Sequence, residues 1–289
     1  MLTGRDVAAL DQAVERMLLT GDRGEITMIG AGEMTCVLRW RGHACKRLPP
    51  FDDLARVDAY AQLLEEYIRQ LRASGVPVID TALHTVSRSG KHMVYLVQSL
   101  IPADRCLPAW LRAAPHGEGL PMARLVLDHV QRCTANKVGI DANLSNWSVD
   151  DGKPLYFDVS TPMLRDAAGH HRLDTEIFVA TLPAIVRGLV RRYFVTELLD
   201  RYYDTRRVYE NLLGDLPNTR LDDLTATLLV EANARLDTPL TLKQIYAYRR
   251  EDLITWRAIR QLLKLEQFWR RTILRAPNPH LLPSQFRER

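Results

Sequence analysis

The chain has 289 residues, with Lys+Arg 39 against Asp+Glu 35, a formal charge of +4, and 46% hydrophobic residues. So high an apolar fraction with so small a net charge excludes disorder as the dominant state, and the length suits one large domain or two smaller ones sharing a cleft. Apolar runs such as Met93–Val97 fall far short of the roughly 20 residues that a bilayer span requires, so no membrane partner is expected. The opening stretch has acids inside its apolar pattern and no apolar signal-peptide core. The cysteines Cys36, Cys45, Cys106 and Cys133 form no CxxC pair. A cytoplasmic protein with reduced cysteines is expected. The basic residues are six lysines and 33 arginines, interleaved with acids. That spread argues against a nucleic-acid partner, which requires a clustered basic face.

Apolar positions at helical spacing over Asp6–Leu19 predict an opening helix. From Glu25 to Leu48, short β-prone runs broken by Gly30, Gly32 and Gly42 predict two or three antiparallel strands. Asp52–Ala73 carries Leu54, Val57, Tyr60, Leu63, Leu64, Tyr67, Ile68 and Leu71 at a 3.6-residue period, stopped by Gly75 and Pro77, as a helix should be. Strands are predicted at Val78–Val86 and His92–Leu100 around the turn Arg88–Lys91. Helices are predicted at Ala109–Ala113 and Pro121–Asn136, with a strand–turn–strand unit over Leu144–Val159 turning at Asp151-Gly152. From Asp174 to Leu274 the pattern is helical, broken at Gly214–Pro217 and Asp237–Pro239, and Ala276–Arg289 is an irregular tail. The fold class is α+β: a small β-rich lobe over residues 1–101, then a larger helical lobe over residues 102–289.

The chemistry gathers in Gly139–Asn146 and in Tyr156-Phe157-Asp158-Val159-Ser160. A loop from Asp141 to Asn146 can turn both side chains to one cleft, and a short hairpin then returns Asp158 beside them. Asn146 and Asp158 are hard oxygen ligands suited to Mg²⁺, and Asp141 is left to receive a hydroxyl proton. This stretch resembles the catalytic segment of the protein kinase-like superfamily, H-R-D-x-x-x-x-N followed by D-F-G. The separation of Asp141 from Asp158 is that of its aminoglycoside and small-molecule phosphotransferase branch, within a residue. Gly139 replaces the family's His, and Val159-Ser160 replaces Phe-Gly. Gly30-Ala31-Gly32-Glu33-Met34-Thr35-Cys36-Val37 resembles the Gly-rich loop, with Thr35 for its third glycine. Ala44-Cys45-Lys46 resembles the Ala-x-Lys strand, and Val94–Pro102 resembles the fifth strand and hinge.

The resemblance, which covers Glu25 to about Pro162, implies a two-lobed kinase-like fold and an ATP- and Mg²⁺-dependent phosphotransferase. It assigns Gly30, Gly32, Thr35, Val37 and Lys46 to ATP, the glycines and Lys46 at its phosphates, with Glu65 on the following helix as the partner of Lys46. Gln98 becomes the gatekeeper, Ser99 and Ile101 offer backbone groups to adenine, Asn146 and Asp158 hold the metal, and Asp141 is the catalytic base. Asn143 stands where protein kinases carry Lys, and no A-P-E motif separates Asp158 from the helices near Asp174. Both features point to a small hydroxylated metabolite as acceptor. The alternative is a silent pseudokinase that keeps the fold as a nucleotide- or partner-binding module. His170-His171 reads as a solvent-exposed pair and not as a metal site.

Overall fold

Three two-residue turns, Arg41–Gly42, Ser89–Gly90 and Asp151–Gly152, have positive φ at both positions (45° and 77°, 49° and 71°, 46° and 70°). That backbone matches the right-handed twist of flanking strands, and glycine takes the second position without steric cost. The turns join β2 (Cys36–Trp40) to β3 (His43–Arg47), β4 (Thr81–Arg88) to β5 (Lys91–Ser99), and β6 (Trp147–Asp150) to β7 (Lys153–Tyr156). With β1 (Thr27–Ala31), the first four make a five-stranded antiparallel sheet of order β1-β2-β3-β5-β4. The computed structural model describes residues 2–31, 36–114, 117–176 and 196–254, with Arg257 and Gln261.

Alternation along the strands gives the sheet two faces. Cys36, Leu38, Cys45, Tyr95 and Val97 meet Val7, Leu10, Val14 and Met17 of α1 (Gly4–Thr20) in one core. An ion network ties α1 to this face. Arg47, 4% exposed, lies 2.8 Å from Glu15 and 3.7 Å from Asp11, which is itself 2% exposed. The Tyr95 hydroxyl donates to Asp11 at 2.8 Å. On the opposite face the register sets Val37, Lys46, Leu96 and Leu83 side by side across β2, β3, β5 and β4.

That second face belongs to a larger core. Helix α2 (Leu54–Ala73) starts at the Asp53 cap and buries Val57, Tyr60, Leu63, Leu64, Tyr67 and Leu71. Gly75, at φ 78°, ends its C-terminal turn, where the Val76 N–H returns to the Leu71 carbonyl at 3.0 Å. These side chains pack with Leu96, with α4 (Gly119–Ala135), with Trp147 and Tyr156, and with the later helices. The packing boundary therefore passes behind the sheet, and α2 joins the helical part. The predicted strand at Val78 begins only at Thr81, because the preceding residues bond elsewhere. Tyr156 donates to the Pro77 carbonyl at 2.8 Å, and Ile79 donates to the Tyr156 carbonyl at 3.0 Å. This short parallel bridge docks β7 against the large sheet.

After β5, α3 (Leu107–Ala113) and α4 follow the predicted helices. Of the expected helical stretch, the described part holds α5 (Thr196–Asp200), α6 (Thr205–Asp215), α7 (Thr225–Asn233) and α8 (242–254). Helix α6 runs through Gly214, and the break comes just after it as a 3-10 turn over Leu216–Thr219. The predicted interruption at Asp237–Pro239 does separate α7 from α8. Residues 177–195 and the predicted tail 276–289 lie outside the described residues. No helix among the described residues is long and apolar enough to cross a membrane.

Candidate functional site

Lys46 leaves the middle of the sheet on the face toward the larger core, and the bridge at Tyr156 carries Asp158 to meet it. The Lys46 ammonium lies 2.9 Å from Asp158 Oδ1 and donates to Ser160 Oγ at 2.6 Å. Ser160 Oγ in turn donates to Asp158 Oδ1 at 2.8 Å. Burial alone would raise the Asp158 carboxyl, but the Lys46 charge and the hydrogen bonds from Lys46 and Ser160 outweigh it and hold the acid below its ordinary value. The cluster is rigidly backed. Tyr60 of α2 donates to the Ser160 carbonyl at 2.8 Å, and Gln98 donates to the Phe157 carbonyl at 2.8 Å and to Thr81 Oγ1 at 2.9 Å.

The loop bearing Asp141 is braced from below. Tyr67 of α2 donates to the Gly139 carbonyl at 2.9 Å, Gly139 donates to the Met163 carbonyl at 3.0 Å, and Ile140 donates to the Tyr202 carbonyl at 3.0 Å. A Cβ on Gly139 would stand 2.7 Å from Met163 Cβ and 3.1 Å from the Tyr203 ring. No side chain, histidine included, fits there. One tyrosine hydroxyl and two backbone hydrogen bonds therefore support this loop. Asn146 closes it, donating through Nδ2 to the Asp141 carbonyl at 3.1 Å, while Phe157 donates to the Asn146 carbonyl at 3.1 Å. Burial, and then the nearby Asp158 charge, push the Asp141 carboxyl up to about 7.

Lys46, Asp141, Asn146 and Asp158 are thus brought together from 112 residues of chain. Glu65 is not. It is exposed on α2, and the ammonium it was expected to pair with is taken by Asp158. Its neighbour Glu66 pairs with Arg172 at 2.9 Å. The buried stripe of α2 runs through Tyr60, Leu64, Tyr67 and Leu71, and both glutamates flank it. Gln98 is likewise a clamp between β4 and the Asp158 loop, with its amide hydrogens committed. Gly30 lies in β1 opposite Val37, where a Cβ would make only ordinary contacts at 3.5 Å, and Val37 sits opposite Lys46. Ser99 ends β5, and Ile101 lies two residues beyond it, where the chain crosses to the helices. Gly32 and Thr35 lie outside the described residues. His170 is exposed and His171 bonds Asp200 at 2.8 Å.

Among the described residues no three His, Cys, Asp or Glu side chains gather as a metal cage. The donor set that is present, the ionised Asp158 carboxylate and the Asn146 amide oxygen, suits Mg²⁺, which takes one or two protein oxygens and leaves its other positions to phosphate and water. Sequence reasoning missed Ser160, Tyr60 and Tyr67. Two tyrosines seven residues apart on one buried stripe were the available signal, since each buried hydroxyl needs a partner.

Asp141 and Asn143 also line a polar cavity of about 370 Å³ bounded by Arg201, Tyr202, Arg207, Asn211, Asp215, Asn218, Tyr248, Arg249 and Asp252. Helix α8 packs close to α6 here, with Tyr248 and Arg249 3.4 Å and 3.7 Å from where a Cβ on Gly214 would be. Over residues 9–267 the chain matches the model described as "Family of unknown function (DUF6206)", and it belongs to that family. No curated protein matches it.

Proposed function

We propose that this member of the family is a two-lobed, kinase-like phosphotransferase that moves the γ-phosphoryl group of ATP to a hydroxyl of a small metabolite. The observation that carries the reading is the meeting of Lys46 with Asp158 beside the loop of Asp141 and Asn146, a loop whose Asp141 also lines a polar cavity. In this scheme the acceptor hydroxyl loses its proton to Asp141 as its oxygen bonds to the γ-phosphorus. The bond from that phosphorus to the β–γ bridging oxygen breaks, giving ADP and a phosphomonoester. Lys46 leaves Asp158 for the α- and β-phosphates and offsets charge on the leaving group. Ser160 keeps the Asp158 carboxylate oriented through the exchange. Bound Mg²⁺ would supply charge neutralisation at the phosphates, held by Asp158 and Asn146.

The experiment is paired, with ATP affinity read by calorimetry and transfer read on a pool of hydroxylated metabolites. Asp158→Asn should abolish Mg²⁺-dependent nucleotide affinity. Asp141→Asn should spare that affinity and lower kcat roughly 10²–10⁴-fold. Equal nucleotide binding with and without EDTA in the wild type would refute the metal assignment. The direct Lys46–Asp158 bond and the missing loop histidine favour a second reading, a nucleotide-binding module without turnover. Tight ATP binding with no transfer across a broad pool would establish that reading instead.

A further inference from the structure

We propose that the cavity beside Asp141 is the acceptor site and that it selects a small polyol bearing a negatively charged group, a carboxylate or a phosphate. The inference rests on the transferase reading above and adds the substrate class. A volume of about 370 Å³ admits one molecule of monosaccharide size and excludes a peptide segment. Its lining is built for hydroxyls. Asn143, Asn211 and Asn218 present amides, and Asp215 accepts from Asn218 Nδ2 at 2.6 Å. Tyr248 donates to Asn211 Oδ1 at 3.1 Å, which leaves the Asn211 NH₂ for a ligand. Tyr202 and Tyr248 complete the lining, with the Arg201 guanidinium over the Tyr248 ring at 5.6 Å.

The charge class follows from the arginines. Arg201, Arg207 and Arg249 all line the cavity. Arg207 and Arg249 make no ion pair among the described residues, whereas Arg41, Arg47, Arg56 and Arg235 all do. The Nε atoms of Arg201 and Arg249 and the Oδ1 of Asn143 are shut off from water with no partner. Of the eleven such side-chain atoms among the described residues, three belong to this one cavity. Three carboxylates, Asp141, Asp215 and Asp252, share the lining with these guanidiniums. Burial raises the Asp215 carboxyl above its ordinary range, whereas a guanidinium keeps its proton throughout. An anionic group held by Arg207 and Arg249 would fix the far end of a polyol and leave a hydroxyl for Asp141.

The test uses the full chain with Mg²⁺ and a non-hydrolysable ATP analogue. Gluconate, glucose 6-phosphate, glucose and glucosamine are titrated by calorimetry, with affinity for the ATP analogue read in the same samples. At least one of the two anionic probes should bind about tenfold more tightly than glucose and glucosamine. Arg249→Gln and the more exposed Arg207→Gln should each remove most of that preference, because a charge-assisted contact is lost. Gluconate against glucose 6-phosphate decides between carboxylate and phosphate. If the nucleotide binds but glucose or glucosamine binds as well as either anion, or neither anion binds, the inference fails while the transferase reading stands. If the nucleotide does not bind either, both fail.

Discussion

A Cβ at position 139 would meet the Met163 Cβ at 2.7 Å, and that atom is not the movable end of a flexible side chain. Gly139→Ala should therefore cost about 1–3 kcal/mol of stability through overpacking. Truncating Met163 to Ala in the same chain should not relieve it, since the Cβ remains. Urea unfolding of the single and double variants checks this, and wild-type stability in either would overturn the packing account. His129 makes a second prediction at this scale. Its ring stacks on Trp147 at 5.6 Å and accepts from Arg132 at 2.7 Å. Burial, then the Arg132 charge, push the imidazole down to about 4 from 6.5. Between those values the unfolded chain holds the proton and the folded chain does not, so stability is lost as pH falls through that window. From pH 7 to pH 5 the loss from this group is on the order of 2 kcal/mol. His129→Gln should flatten the acid limb of a denaturation-midpoint profile; an unchanged limb would show that other groups carry it.

Helix α1 is held to the back of the sheet by ions of unequal burial, and that inequality ranks their substitutions. Asp11 and Arg47 are 2% and 4% exposed, whereas Arg88, which lies 2.7 Å from Glu15, is 42% exposed. Asp11→Ala leaves Arg47 with Glu15 alone and the buried Tyr95 hydroxyl without its acceptor, and should cost about 2 kcal/mol. Arg88→Ala, whose charge stays screened by water, should cost under about 1 kcal/mol by the same unfolding measurement. Equal costs would mean that the network acts as a surface pair. Elements of this kind were readable from sequence wherever a local rule governs them. X-Gly pairs set the hairpins, a 3.6-residue stripe set α2, and loop spacing set Asp141, Asn146 and Asp158. What was not readable depends on distant partners. Glu65 and Glu66 both flank the stripe of α2, and nothing local says that Asp158 takes Lys46 while Arg172 takes Glu66. The cavity draws on the Asp141 loop, α6 and α8, whose arginines and acids look in sequence like any solvated helix face.

At the scale of the molecule the sheet is a partition between two cores, and the cysteines report on each. Cys36 and Cys45 lie under α1, whereas Cys133 lies in the larger core with α2, α4 and Tyr156. Burial pushes all three thiols up to about 12, so labelling requires exposure and not merely a thiolate-favouring pH. The α1 core is the smaller, and one helix covers it, so it should open by local release of that helix at a lower free energy than global unfolding. In subdenaturing urea, Cys36 and Cys45 should be alkylated together, at a rate with a shallow urea dependence, while Cys133 follows only the steep global transition. Asp11→Ala should accelerate the first pair more than Cys133, because it loosens the α1 core. Lys46 lies on the front face beside Cys45 on the back, so ATP, if it binds at Lys46 as proposed above, should slow Cys133 as well as the pair when the sheet moves as one plate. If all three cysteines label with one slope in every variant, the two cores unfold as a single unit and the partition has no energetic meaning.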